Sequence, residues 1–258
     1  MSKKAHEEKE TQELVGLDFS GFAGEGFDNV SASDLSIPFL KMLQKTSPEV
    51  DKTQPEFIAG AEQGDIFNTL TKELYKSGIE VVPCNFRKES IEWKLVEKGG
   101  GLVSIHAGDT PLWGNVTLDD KNRSILPNGN QLSGTANHYV LYKDNSGEYQ
   151  SAIIALAGTQ LKKSKQWLGR MAQVKLNGPN GKFTPPMFSQ FWTLKQIPES
   201  NEKGSWMGWD INPAAFVADK ALFNRSLEFY KNIQTMPRVL AGANEAKQLT
   251  SAVAEGAM

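Results

Sequence analysis

The chain has 258 residues, a formal net charge of −2 and one cysteine, Cys84. A single cysteine excludes an intrachain disulfide and a four-cysteine zinc site. Its 39% hydrophobic and 22% charged residues fit a soluble globular protein. No apolar run approaches the roughly 18–20 residues that span a bilayer. The N-terminus lacks the apolar core of a secretory signal, so we expect a cytoplasmic protein.

Charge is distributed unevenly along the chain. Residues 1–34 hold eight acidic residues and three lysines, whereas residues 151–198, which we call the acid-free segment, hold no acidic residue. The acid-free segment carries seven cations: Lys162, Lys163, Lys165, Arg170, Lys175, Lys182 and Lys195. Such a segment indicates an anionic partner or a solvated face, and we favour the anionic partner.

In the first half of the domain, the sequence predicts strands. Residues 79–95 are rich in β-branched and aromatic residues, which predicts one long bent strand or two strands joined near Arg87–Ser90. Residues 137–143 and 149–158 flank a DNSG turn and predict a hairpin.

Two helices are predicted in the second half. Apolar residues at helical spacing predict a helix from about 160 to 176, ended by Gly178-Pro179. Asn212-Pro213 predicts the start of a second helix that runs to about residue 235. The segment FSQFWTLKQIPESNEKGSWMGWDI, residues 188–211, lies between them and predicts a β-hairpin.

These elements predict an α+β, mostly β fold. Several strands, a helix inserted between strands and a C-terminal helix fit an OB-like, partly open β-barrel. We expect a flexible acidic arm over residues 1–34. A single OB-like nucleic-acid-binding domain with a C-terminal helix follows over residues 35–235, and a frayed tail over residues 236–258.

Signatures of catalysis are absent from the sequence. The three histidines, His6, His106 and His138, lack the spacing that holds zinc on one helix face. There is no G-x-S-x-G motif. The string GPNGKF, residues 178–183, fails the phosphate-loop pattern because the glycine spacing is short and Phe183 follows the lysine. We therefore expect a protein that is not an enzyme and that uses no metal or cofactor.

Alternation divides the predicted hairpin at 188–211 into two faces. One set of side chains is predicted to be core: Trp192, Leu194, Met207, Trp209 and Ile211. The other face would then carry Phe191, Lys195 and Trp206 outward as a stacking surface. A one-residue change in register would exchange the faces, and the alternative is that all these aromatic residues are core.

Cations beside aromatic side chains are typical of single-stranded nucleic-acid binding, because cations neutralise phosphates and aromatic rings stack on bases. Trp167 lies within KKSKQWLGR, where it can belong either to this surface or to the core. The predicted DNA-binding residues are Lys162, Lys163, Lys165, Trp167, Arg170, Lys175, Lys182, Phe191, Lys195 and Trp206.

Three segments carry a family resemblance: SIPFLKMLQKTSPEV, GAEQGDIFNTLT and IPESNEKGSWMGW. Together they resemble single-stranded DNA-binding proteins and related early proteins of tailed bacteriophages, particularly short-tailed ones, over residues 35–235. The resemblance implies an OB-like core that coats single-stranded DNA and a location in the host cytoplasm. Many such proteins end in an acidic tail, but SAVAEGAM has only Glu255, so the sequence does not predict tail-mediated partner recruitment.

The main hypothesis is non-catalytic binding of single-stranded DNA with little sequence preference, in phage replication, recombination or transcription. Phage replication or transcription proteins are possible further partners, as is a second copy of the chain, and no membrane is expected. The acidic arm is expected to fold over the basic face. One alternative is a protein-interaction module that recruits a polymerase. Another is a strand-annealing recombination protein.

Overall fold

The computed structural model describes residue 21 and residues 25–29, 36–202 and 204–236. The chain divides into two compact units, Met1–Leu35 and Ser36–Met258, and the described strands and α-helices lie in the second. The predicted arm and tail fall largely outside the described residues, so both stay predictions.

The described elements are mostly strands. In chain order they are β1 (Leu40–Met42), β2 (Ile66–Asn68), β3 (Leu74–Tyr75), β4 (Ile79–Trp93), β5 (Leu102–Ala107), β6 (Thr117–Leu118), β7 (Ser124–Ile125), β8 (Gln131–Lys143), β9 (Tyr149–Ala157), β10 (Leu176–Gly178), β11 (Gly181–Phe183), β12 (Gln190–Asn201) and β13 (Gly204–Phe216). The two α-helices are α1 (Leu161–Gln173) and α2 (Lys220–Thr235).

Eight strands form the main sheet in the order β13-β12-β4-β8-β7-β6, with β5 paired to β4 and β9 paired to β8. β1, β2 and β3 form a second small sheet, and β10 and β11 form a separate hairpin. The main sheet curls into a half-barrel that carries two helices, which confirms the predicted mostly β, OB-like α+β class. The inserted helix lies between β9 and the β10–β11 hairpin in the chain.

The long strand β4 has a β-bulge in its pairing with β8. Residues 79–93 form one long strand, the first of the two predicted arrangements, and its register shifts between Pro83 and Asn85, which places the irregularity at Cys84. A bulge of this kind bends a strand and increases its twist. Cys84 itself is buried, and burial raises the pKa of its thiol to about 12, so the side chain packs as a neutral group.

The curled sheet has a core on each face. The inner core joins sheet residues such as Val81, Trp192 and Leu194 to Trp167 and Met171 of α1. The outer core lies under α2, where Val82, Cys84, Leu141 and Phe188 pack with Leu222. Complete burial of a residue such as Leu194 contributes about 1.5–3 kcal/mol, so both layers stabilise the sheet.

The predicted start of the C-terminal helix is wrong. Strand β13 continues through Pro213, which pairs with Trp192, and ends at Phe216. Proline is tolerated there because β13 is an edge strand. α2 begins only after Asp219, whose Oδ1 accepts a hydrogen bond of 2.8 Å from Ala221 N and so caps the helix.

Candidate nucleic-acid interface

Helix α1 lies along the free edge of β13 and bonds to its backbone. Gln160 Oε1, one residue before the helix, accepts from Trp209 N at 3.1 Å, and Lys163 Nζ donates to Trp209 O. Arg170 Nη1 donates to Ile211 O at 2.7 Å. An open strand edge is a template for pairing with another chain. These side chains occupy that edge and fix the position of α1 against the β12–β13 hairpin.

Further along the same edge, Gln44 takes the place of a pairing strand for Met207. Its Nε2 donates to Met207 O at 2.9 Å, and its Oε1 accepts from Met207 N at 2.9 Å. Backbone groups of alternate residues on an antiparallel strand point to the same side, so residues 207, 209 and 211 form one seam. The backbone groups along the β13 edge are therefore bonded by side chains rather than by another strand.

The carboxylate of Glu199 is the polar centre where α1 meets the hairpin. It forms an ion pair with Lys163 and accepts from Gln160 Nε2 at 2.7 Å and Trp206 Nε1 at 2.9 Å. Burial opposes ionisation, but the hydrogen bonds from these three partners outweigh it and lower the pKa of Glu199. Glu199 is therefore ionised at neutral pH and neutralises Lys163.

A groove of about 270 Å³ runs between α1 and the hairpin. Lys163 and Arg170 line it from the helix, and Glu199 and Asp210 line it from the strands. Equal numbers of cations and carboxylates leave the groove without net charge. The exposed lysines of the acid-free segment are therefore better candidates for phosphate contacts than the groove itself.

The structure divides the seven cations of the acid-free segment into two groups. Three make internal bonds: Lys163 and Arg170 along the β13 edge, and Lys175 to Thr184 Oγ1. The side chains of the other four are exposed and form no hydrogen bond or ion pair with another described residue: Lys162, Lys165, Lys182 and Lys195. Only the second group has its full bonding capacity available for phosphates.

Lys195 stands apart from the other exposed lysines. It pairs directly with Asp210 across the hairpin, and Thr193, two residues earlier on the same face of β12, pairs with Glu80. Directly opposed side chains on paired strands lie about 4.5–5.5 Å apart at their Cβ atoms, so Asp210 offsets part of this charge. Lys162 and Lys165, three positions apart on α1, instead share one side of the helix.

Trp167 does not belong to a stacking surface, because its side chain is only 1% exposed. Its ring stacks on His138 with centroids 4.4 Å apart and lies 6.0 Å from the ring of Trp192. His138 Nε2 lies 2.8 Å from Ser164 Oγ, and burial lowers the pKa of His138 to about 3. The helical periodicity of α1 thus places Trp167 inward, and its prediction as a DNA contact is corrected.

The alternation predicted for the hairpin is observed. Trp192, Leu194, Trp209 and Ile211 are buried, and Met207 packs partly buried against the same core. The strands pair as far as Asn201 and Gly204.

The predicted outward aromatic residues do not form a common surface. Trp206 pairs with Glu199, eight positions from Phe191 on β12, which corresponds to about 26 Å along a strand. Phe191 packs half-buried against the outer core, with its ring 6.4 Å from that of Tyr149. Trp206 is also half-buried and lies beside α1 through Glu199. Of the pair, Trp206 alone adjoins the helix that carries the exposed lysines.

Sequence reasoning missed Phe183, which is 46% exposed on β11. The signal was an aromatic residue directly after Lys182, inside the acid-free segment and beside a Pro179-Asn180 turn. Failure of the phosphate-loop pattern in GPNGKF gives no indication of whether the ring of Phe183 is exposed.

Within residues 36–202 and 204–236 and the short described stretches before them, no three His, Cys, Asp or Glu side chains could hold a metal ion together. Over the same part of the chain, no helix has both the length and the apolar character needed to cross a membrane.

The fold and the site define a small, mostly β, OB-like domain with a helix bonded along one edge of its half-barrel. A family model described as Pam3 phage gp34-like protein matches residues 8–237, and the chain belongs to this phage-associated family. The expected relationship to phage proteins is confirmed at that level. No curated protein and no solved structure matches the chain.

Proposed function

We propose that the protein binds single-stranded DNA without catalysis and with little sequence preference, in phage replication, recombination or transcription. The observation that carries the proposal is the acid-free segment, in which the side chains of Lys162, Lys165 and Lys182 are exposed and form no hydrogen bond or ion pair with another described residue. Lys162 and Lys165 lie on α1, and Lys182 lies on the hairpin that follows α1 in the chain.

Phosphate neutralisation by these lysines supplies the affinity. α1 has 13 residues and is about 20 Å long, so its exposed face can follow several phosphates of an extended strand. Each neutralised phosphate of a single strand contributes about −0.7 to the slope of log affinity against log salt. Contacts from Lys162, Lys165 and Lys182 therefore predict a slope of about −2.

Base stacking supplies the preference for single strands. A base stacked on an aromatic side chain contributes about 1–3 kcal/mol, and a duplex does not offer its base faces in this way. Trp206 is the aromatic residue from the predicted set that adjoins α1. Its indole N–H is held by Glu199, which leaves the ring in a fixed orientation.

An electrophoretic shift series with an oligo-dT strand, a duplex and an RNA strand tests the proposed function. We expect binding of the single-stranded DNA at low salt, weaker binding of the duplex, and loss of binding as salt rises. Absence of any shift with all three would contradict the proposal and favour a protein-interaction module. Equal affinity for duplex and single strands would contradict the stacking component.

A further inference from the structure

The β10–β11 hairpin lies between α1 and β12 in the chain and forms a separate two-stranded sheet. Its three cross-strand pairs are Leu176 with Phe183, Asn177 with Lys182, and Gly178 with Gly181. All three β11 residues are exposed, and no residue of the hairpin belongs to a described hydrophobic cluster. The hairpin thus contributes little to the core, and its side chains are available to a ligand.

The ring of Phe183 rests against Gly178 on the opposite strand. A Cβ atom at Gly178 would lie 3.1 Å from two ring carbons, Cδ1 and Cε1, which is closer than ordinary contact. Because Gly178 has no side chain, the ring of Phe183 packs against the backbone of the hairpin. One side of the ring is supported in this way, and 46% of the residue stays exposed.

The electrostatic surroundings of Phe183 favour an anion. Lys182 precedes it and is exposed, and Lys175 bonds to Thr184 at the base of the hairpin. No acidic residue occurs between residues 151 and 198. Strand alternation points the Lys182 side chain to the opposite face of the hairpin from Phe183. The ring therefore offers a stacking surface for a base on one face, and Lys182 offers a partner for a phosphate that passes the edge of this narrow hairpin.

We propose that Phe183 stacks on a base of the bound strand and that the β10–β11 hairpin forms one end of the DNA site. This inference rests on the proposed single-stranded DNA binding and adds to it a contact outside the helix and the β12–β13 hairpin. The strand then runs along the exposed lysines of α1 and ends on Phe183.

Affinity measurements with the full chain and oligo-dT test the inference. Phe183→Leu removes the ring and keeps the charge, so we expect affinity to fall about tenfold while the salt slope stays unchanged. Lys182→Gln should instead reduce the steepness of the slope by about 0.7. Phe216→Leu is the matched control, because Phe216 is 45% exposed but lies at the end of β13. It should leave affinity within twofold.

A second variant moves the ring without removing it. Gly178→Ala places a methyl group against Phe183, and we expect affinity to fall between the values for the wild type and Phe183→Leu. Thermal unfolding followed by circular dichroism should show that these surface variants stay folded.

The possible outcomes separate the two proposals. If the wild type binds and both Phe183→Leu and Gly178→Ala bind equally well, the role of Phe183 is wrong and DNA binding stands. If Phe216→Leu weakens binding as much as Phe183→Leu, the assignment of the hairpin is wrong. If the wild type binds no oligo-dT at low salt, the proposed function is overturned together with this inference.

Discussion

At the scale of single residues, Glu199 shows how α1 and the hairpin are held together. Its carboxylate accepts bonds from Lys163, Gln160 and Trp206, and it lies directly over Gly208. A Cβ atom at Gly208 would overlap Glu199 Oε2 and would lie 3.1 Å from Gln160 Nε2. Glycine at this position therefore makes room for the whole group of bonds.

Replacement of this glycine should disturb the group. In Gly208→Ala the carboxylate of Glu199 must move, and we expect the free energy of unfolding to fall by about 1–2 kcal/mol as its hydrogen bonds are lost. Urea unfolding measures this change, and a shift of tryptophan emission reports the release of Trp206. Gly114→Ala is the control, because no atom lies within 4 Å of the added group. Equal stability of both variants would contradict the role given to Gly208.

His138 is the second residue with a measurable signature. It is fully buried between Phe86 and Trp167, and burial lowers its pKa to about 3 from an ordinary value of 6.5. The folded protein thus keeps the imidazole neutral at pH 5, whereas the unfolded chain takes up a proton below about pH 6.5. The contribution of the neutral His138 imidazole to the free energy of unfolding is therefore present above about pH 6.5 and is lost as the pH falls toward 3.

The expected pH effect is large enough to measure. Between pH 7 and pH 5, His138 should reduce the free energy of unfolding by about 2 kcal/mol. Urea unfolding at several pH values gives the profile, and His138→Gln should flatten it whatever its absolute stability. A variant with the same slope as the wild type would show that another group is responsible.

At the scale of elements, α1 has two sides with different tasks. The side chains of Lys163 and Arg170 bond to the β13 edge, whereas those of Lys162 and Lys165 are exposed and form no hydrogen bond or ion pair with another described residue. The sequence shows these cations as one group. Their division depends on Glu199 and on the backbone of β13, which lie 36–46 residues later in the chain and reach α1 only through the tertiary fold.

A pair of substitutions in α1 separates the two tasks. Lys163→Gln leaves Glu199 without its cation, so we expect stability to fall by about 1–2 kcal/mol with little change in the salt slope of DNA binding. Lys165→Gln should leave stability within about 0.5 kcal/mol and make the salt slope less steep by about 0.7. Urea unfolding and DNA titration of both variants provide the comparison. The reverse pattern would contradict the division.

Strand periodicity and strand ends differed in how well the sequence predicted them. Alternation correctly placed Trp192, Leu194, Trp209 and Ile211 in the core, because one face of the hairpin packs on the inner cluster. The start of α2 was wrong, because Pro213 is compatible with an edge strand as well as with a helix start. Local sequence does not show which strand lies at an edge.

At the scale of the whole molecule, the sheet curls, and its β13 edge is closed by side chains of Gln44, Gln160, Lys163 and Arg170. The mostly β, OB-like class followed from the order of predicted elements. The side-chain bonds along the β13 edge could not be predicted in this way, because they join the backbone of β13 to side chains that are far away in the sequence. Exposure of Phe183 likewise depends on how the β10–β11 hairpin leaves the body of the domain.

The central claim is single-stranded DNA binding through the exposed lysines of the acid-free segment. A fluorescence titration of the full chain with oligo-dT at several salt concentrations tests it most directly. We predict quenching of tryptophan emission at low salt and a slope of log affinity against log salt of about −2, which Lys162→Gln combined with Lys165→Gln reduces to about −0.7. Unchanged emission with no binding at low salt, or an affinity that does not depend on salt, would contradict the claim.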